Sequence, residues 1–204
     1  MVVDARGRAY AGHFGYDLMG GGAPALASLV RVDPPADGGG PPRASVAAEG
    51  LNFPNGSALT ADGRTLLVAE TFGARITAFD VAADGGLGGR RVWAEPGGAA
   101  SDEVDGTEET TPAFRPDGVA LDAEGALWVA DAGGGRLLRL REGGEVLDEV
   151  HMGGDGVFAC MLGGADGKTL YACVAPDFHE EKRRAAKEGR VVALRVDVPH
   201  AGLP

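Results

Sequence analysis

Apolar residues in this chain fall in short runs, each broken by a turn that carries glycine. SLVRV (28–32), ASVAA (44–48), RITAFDV (75–81), RRVWAE (90–95), RLLRL (136–140), EVLDEV (145–150) and VVALRVDV (191–198) all have strand length, and all but RLLRL carry β-branched residues. Four segments then align on one another: VDARGRAYAGH from Val3, LTADGRTLLVAE from Leu59, LDAEGALWVAD from Leu121 and GGADGKTLYACV from Gly163. Each is a tight turn closing on glycine and followed by a strand. Asp4 and Asp122 stand three residues before Gly7 and Gly125, which suits a type I turn with Asp first and Gly fourth. The turn glycines at 7, 63, 125 and 167 are 56, 62 and 42 residues apart, an irregular period near the length of a four-stranded blade. The pattern predicts an all-β chain forming one partial β-propeller domain over 1–204, with about four blades present. A β-sandwich is the alternative.

Two stretches break the repeat. Residues 97–114, GGAASDEVDGTEETTPAF, hold few strand formers and five acids, and are expected to form a long excursion on one rim. Its acids Asp102, Glu103, Asp105, Glu108 and Glu109 read as a solvated loop, with a substitute metal ligand as the less favoured reading. Residues 179–189, HEEKRRAAKEG, are rich in helix formers and end in glycine, so a short helix is predicted there.

Composition narrows the function classes. With 204 residues, 44% hydrophobic and 24% charged, the chain can bury a core. A formal charge of -11 argues against nucleic acid as a partner, because phosphate binding relies on clustered Lys and Arg. No apolar run approaches the roughly 18 residues of a membrane span, and MVVDARGRAY lacks a signal-peptide pattern, so a cytoplasmic protein is expected. Cys160 and Cys173 lack zinc or redox spacing and are expected to be buried thiols. Trp128 and Tyr171 occupy comparable strand positions and are expected in the core between blades.

One phrase recurs in frame: FPNG at 53–56 and RPDG at 115–118. Asn55 lies eight residues before Gly63, and Asp117 lies eight before Gly125. Equivalent positions on the inner strands of successive blades converge on the propeller axis, so an amide oxygen and a carboxylate would meet there. Two hard oxygen donors at one mouth suggest a divalent cation. Asn-Gly and Asp-Gly are also ordinary turn formers, and a pure turn account explains both phrases as well. The same count from Gly167 reaches Ala159, which cannot ligate a metal.

GLNFPNGSALTADGRTLLVAE, RPDGVALDAEGALWVAD with GGRLLRL, and CMLGGADGKTLYAC together resemble the senescence marker protein 30, gluconolactonase and luciferin-regenerating enzyme family. The resemblance implies a six-bladed type of propeller and hydrolysis of a small-molecule sugar lactone to the aldonic acid. It also implies one divalent metal ion, with calcium, zinc, magnesium, manganese and ferrous iron all open. On that resemblance Asn55 is a metal ligand, and Asp117 is both metal ligand and catalytic residue. Asp17 falls near a family position that faces the sugar hydroxyls, and His13 on the same stretch is a second candidate substrate contact. Two further family ligands map upstream of Met1, so the chain is expected to represent the C-terminal two thirds of such a protein. Alternatives are a catalytically inactive or binding propeller, with self-association through open blade edges, and a propeller of the strictosidine-synthase-like or NHL type.

Overall fold

A computed structural model describes residues 1–35, 39–97 and 114–202. The expected rim excursion and its five acids therefore fall almost wholly outside the described residues. Four sheets follow one another along the chain, every strand antiparallel to the next. The first holds β1 (Val2–Val3), β2 (Ala9–Gly12), β3 (Ala27–Asp33) and β4 (Arg43–Leu51). The second holds β5 (Pro54–Leu59), β6 (Thr65–Glu70), β7 (Arg75–Val81) and β8 (Leu87–Ala94). The third holds β9 (Pro116–Leu121), β10 (Leu127–Asp131), β11 (Arg136–Leu140) and β12 (Val146–His151). The fourth has three strands, β13 (Gly156–Gly163), β14 (Thr169–Ala175) and β15 (Arg190–Arg195), with α1 (Glu180–Ala185) between the last two. The sheets are the blades of a β-propeller, and β5, β9 and β13 pack side by side as inner strands.

The turn chemistry behaves as the repeat predicts. Gly7, Gly63, Gly125 and Gly167 each donate to the carbonyl three residues earlier and each has a positive φ, from 67 to 77° in three of them and 80° in Gly125. Asp4 and Asp122 also accept from the amides of Arg6 and Arg8, and of Glu124 and Ala126.

Three cores lie between the blades, and the second strand of each middle blade feeds two of them. Leu66 and Val68 pack toward blade one, whereas Leu67 and Ala69 pack toward blade three. Likewise Leu127 and Val129 face blade two, while Trp128 and Ala130 face blade four. Strands covered on both faces read as unbroken apolar runs, which accounts for LLVA and LWVA. In blade four the run is covered on one face. Leu170, Ala172 and Val174 are buried against blade three, but Tyr171 is 39% exposed and Cys173 is exposed. The expectation that Tyr171 and Cys173 are buried is thus corrected, because alternation along β14 turns them to its outer face. Trp128 and Cys160 are buried as expected. The helix ends at Ala186, before the glycine expected to cap it. Among the described residues no helix is long and apolar enough to cross a membrane.

The glycines of the recurring phrase have a packing role. A Cβ on Gly56 would stand 2.2 Å from the carbonyl oxygen of Asp117, and one on Gly118 would stand 2.6 Å from the Cα of Ala159. Neither glycine has a positive φ, and both lie inside inner strands. The pure turn account of PNG and PDG is therefore set aside: the glycines let successive inner strands touch. Gly118→Ala is expected to cost about 1–3 kcal/mol by forcing two backbones apart. Urea unfolding beside Gly88→Ala, where a Cβ meets nothing within 4 Å, measures this, and equal midpoints would refute it.

Candidate functional site

Asn55 and Asp117 stand near the first residues of β5 and β9. The strand ends that carry them are built in the same way twice. The buried carboxylate of Glu70, last residue of β6, accepts from the Asn52 amide at 2.6 Å, from Thr77 at 2.5 Å, and from Arg75 and Arg90. Asp131, last residue of β10, accepts from the amides of Arg115 and Gly134 and from Arg136 Nε at 2.8 Å. In each case the acid is followed five positions later by its arginine and grips the backbone at the start of the recurring phrase, at Asn52 just before the first copy and at Arg115 as the first residue of the second. One carbonyl there accepts in return: Thr71 N donates to Phe53 O, and Ala132 N to Arg115 O, both at 3.0 Å. Burial alone would raise the Glu70 carboxyl, but the bonds from Arg75, Thr77 and the Asn52 amide outweigh it and hold it below its ordinary range. These holding residues were readable in LLVAETFGAR and LWVADAGGGR, where a strand ends on an acid with Arg five residues on.

This frame also fixes a strained residue. Phe53 has φ of 60°, a left-handed conformation that costs a non-glycine residue about 1–3 kcal/mol. Its ring stacks on Phe14 with centroids 4.2 Å apart and leans on Phe72 at 4.6 Å, and the Arg115 guanidinium lies 5.5 Å from the Phe72 ring centre. The ladder runs from the blade-one loop across the strand ends that carry Asn55 and Asp117.

The two predicted ligands are brought together. Asn55 Nδ2 donates to Thr71 Oγ1 at 3.4 Å, and the Asn55 side chain lies near enough to the Asp117 carboxyl to favour its ionised form. Burial pushes the Asp117 carboxyl up to about 7, only partly offset by the neighbouring Asn55 amide. An amide oxygen and a carboxylate are hard donors suited to a divalent cation. Among the described residues there is no group of three or more His, Cys, Asp or Glu side chains that could hold a metal ion, so the pair would fill two positions of a larger shell.

His13 and Asp17 lie on the loop that reaches this region through Phe14 and Tyr16. Both have local partners. His13 Nε2 meets Ser28 Oγ at 3.1 Å and its Nδ1 accepts from Gly15 N, while Asp17 Oδ1 accepts from Gly20 N. β5, β9 and β13 share a bulge at this point, after Pro54, Pro116 and Val157, so the counterpart of Asn55 and Asp117 in blade four is Phe158, beside Ala159, neither able to ligate. A separate cavity of about 760 Å³ runs along the other half of the inner strands, beside Ser57, Val119 and Leu162, without Asn55 or Asp117 in its wall.

The raised Asp117 carboxyl has a stability signature. Because its folded value lies above the ordinary 3.8, the metal-free protein is most stabilised by this group below about pH 4 and loses that contribution as pH rises to about 7. Asp117→Asn is expected to flatten this slope and to make the metal-free protein more stable than wild type at pH 8. Urea midpoints from pH 4 to 8 test it, and parallel curves for the two proteins would refute it.

Comparison with known proteins agrees with the propeller fold. A 6-deoxy-6-sulfogluconolactonase from Pseudomonas putida is 38% identical over 97 residues, covering 44% of this chain and 32% of that protein. Regucalcin from Xenopus laevis is 38% identical over 82 residues, 39% of this chain and 27% of the relative. The matched stretch thus spans about a third or less of these curated relatives. A luciferin-regenerating enzyme superposes with a TM-score of 0.71 at 20% identity, covering 97% of this chain and 61% of that one. A gluconolactonase from Xanthomonas campestris gives 0.61 at 27% identity, covering 85% and 52%. The family model described as the SMP-30/gluconolactonase/LRE-like region matches residues 1–175, and the chain, with its blades and its paired inner-strand donors, belongs to that family.

Proposed function

We propose that this protein hydrolyses a sugar lactone to the aldonic acid with the help of one divalent metal ion, using Asn55 and Asp117. The observation that carries the reading is the Asp117 carboxyl, buried at an inner-strand end beside the Asn55 amide and pushed up to about 7 by that burial in the metal-free chain. A bound cation would offset the burial and hold the carboxyl ionised, as ligand and proton acceptor. The gluconolactonase and sulfogluconolactonase relatives support the substrate class. Regucalcin and a solved relative described as a calcium-binding protein support the metal.

Asn55 and Asp117 would hold the ion, through an amide oxygen and a carboxylate oxygen. When bound, the ion would supply Lewis-acid polarisation of the lactone carbonyl. Asp117 in its ionised form accepts a proton from water as the water oxygen adds to the carbonyl carbon. The ring C–O bond then breaks, and Asp117 returns the proton to the departing ring oxygen. The product carries one new carboxyl and one new hydroxyl group. Asn55, at the equivalent position of the neighbouring inner strand, would complete the ion's hold beside that carboxyl. His13 and Asp17, on the neighbouring loop, would meet the hydroxyl groups of the substrate.

Glucono-1,5-lactone in a pH-stat, with chelator-stripped protein titrated with calcium, magnesium, manganese, zinc or ferrous iron, tests this reading. Activity is expected to return with an ion and to fall roughly 10²- to 10⁴-fold in Asp117→Asn. Hydrolysis that ignores both chelation and Asp117→Ala would overturn it. A folded protein that stays silent with every ion would favour a binding propeller, the reading to which the two-donor set gives weight.

A further inference from the structure

Thr71 is the first residue after β6, buried at 8% exposure, and its hydroxyl joins two blades. Oγ1 donates to the carbonyl of Pro116 at 2.7 Å, next to Asp117, and accepts from Asn55 Nδ2 at 3.4 Å. A hydroxyl has one hydrogen. With that hydrogen committed to the Pro116 carbonyl, Thr71 can meet the Asn55 amide only as an acceptor. It therefore selects Nδ2 and turns Oδ1 away from itself. With Nδ2 held by Thr71, Oδ1 is left as the free oxygen donor of the amide.

The third blade provides an internal control. Ala132 occupies the place of Thr71, and its amide bonds to Arg115 O at the same 3.0 Å as Thr71 N to Phe53 O. The strand-end frame thus forms without a hydroxyl, so the hydroxyl of Thr71 serves something that blade two has and blade three lacks. The group next to it is the Asn55 side chain.

We propose that Thr71 is a positioning residue that sets the flip of the Asn55 amide, holding Nδ2 and presenting Oδ1 as the oxygen donor. The proposal rests on the reading of Asn55 and Asp117 as the metal-holding pair. Its test uses the full chain with Thr71→Ala, Thr71→Ser and Thr71→Val. Manganese affinity by calorimetry, kcat and KM on the lactone, and the Asn55 side-chain NH₂ resonances without metal are compared, with thermal melts confirming folding. Thr71→Ala and Thr71→Val are expected to weaken manganese binding about 10- to 100-fold, to lower kcat/KM, and to move the Asn55 NH₂ pair. Thr71→Ser should restore all three. Equal manganese affinity and unmoved Asn55 signals in folded Thr71→Ala would overturn the role of Thr71 while leaving the lactonase reading intact. If wild type binds no ion and opens no lactone, the lactonase reading fails. The Asn55 resonances then decide Thr71 alone: unmoved in Thr71→Ala they overturn the proposed flip, and moved they support it.

Discussion

Two backbone contacts near the axis govern the rest of this structure. At Gly56 and Gly118 the inner strands of blades two, three and four approach so closely that no side chain fits between them. That approach sets how far apart the residues just before these glycines can lie, and those residues are Asn55 and Asp117. A blade contributes one useful side chain at its inner end, and it contributes to a shared site only if its neighbour is within reach. The small residue and the polar residue of the phrase are therefore parts of one device, the first closing the distance and the second using it.

The strand ends that deliver those side chains are held by buried charge. Glu70 and Asp131 each grip a backbone amide while an arginine five residues on neutralises them. A buried carboxylate stripped of its partners is strongly destabilising, so such a hub fixes local geometry more than it adds net stability. What it fixes in blade two includes Phe53 in a left-handed conformation, a strain that persists because Glu70, Thr71 and the stacked Phe14 leave the chain no easier path.

Much of this was legible before any coordinates. The aligned turns, with Asp4 and Asp122 set against Gly7 and Gly125, specify local geometry that a short motif can encode by itself. The equivalence of Asn55 and Asp117 also followed from counting, because β5 and β9 keep the same length between the phrase and the turn. The count was one residue off in blade four: β5, β9 and β13 share the same bulge, but Phe158 stands nine residues before Gly167 where Asn55 and Asp117 stand eight before their turn glycines, and no short motif marks that extra residue. Tyr171 and Cys173 were misplaced for a related reason. The run TLYACVA is apolar throughout, and only the packing reveals that one of its faces is uncovered. Thr71 escaped notice because its role depends on which oxygen of another blade its single hydrogen finds.

The division of the interior into three separate cores has a further meaning for how motion is distributed. β6 and β10 are each clamped from both sides, so opening either strand must break into two cores at once. Asn55 and Asp117 are carried by these doubly clamped blades. Their mutual geometry therefore rests on packing that no single local opening can release.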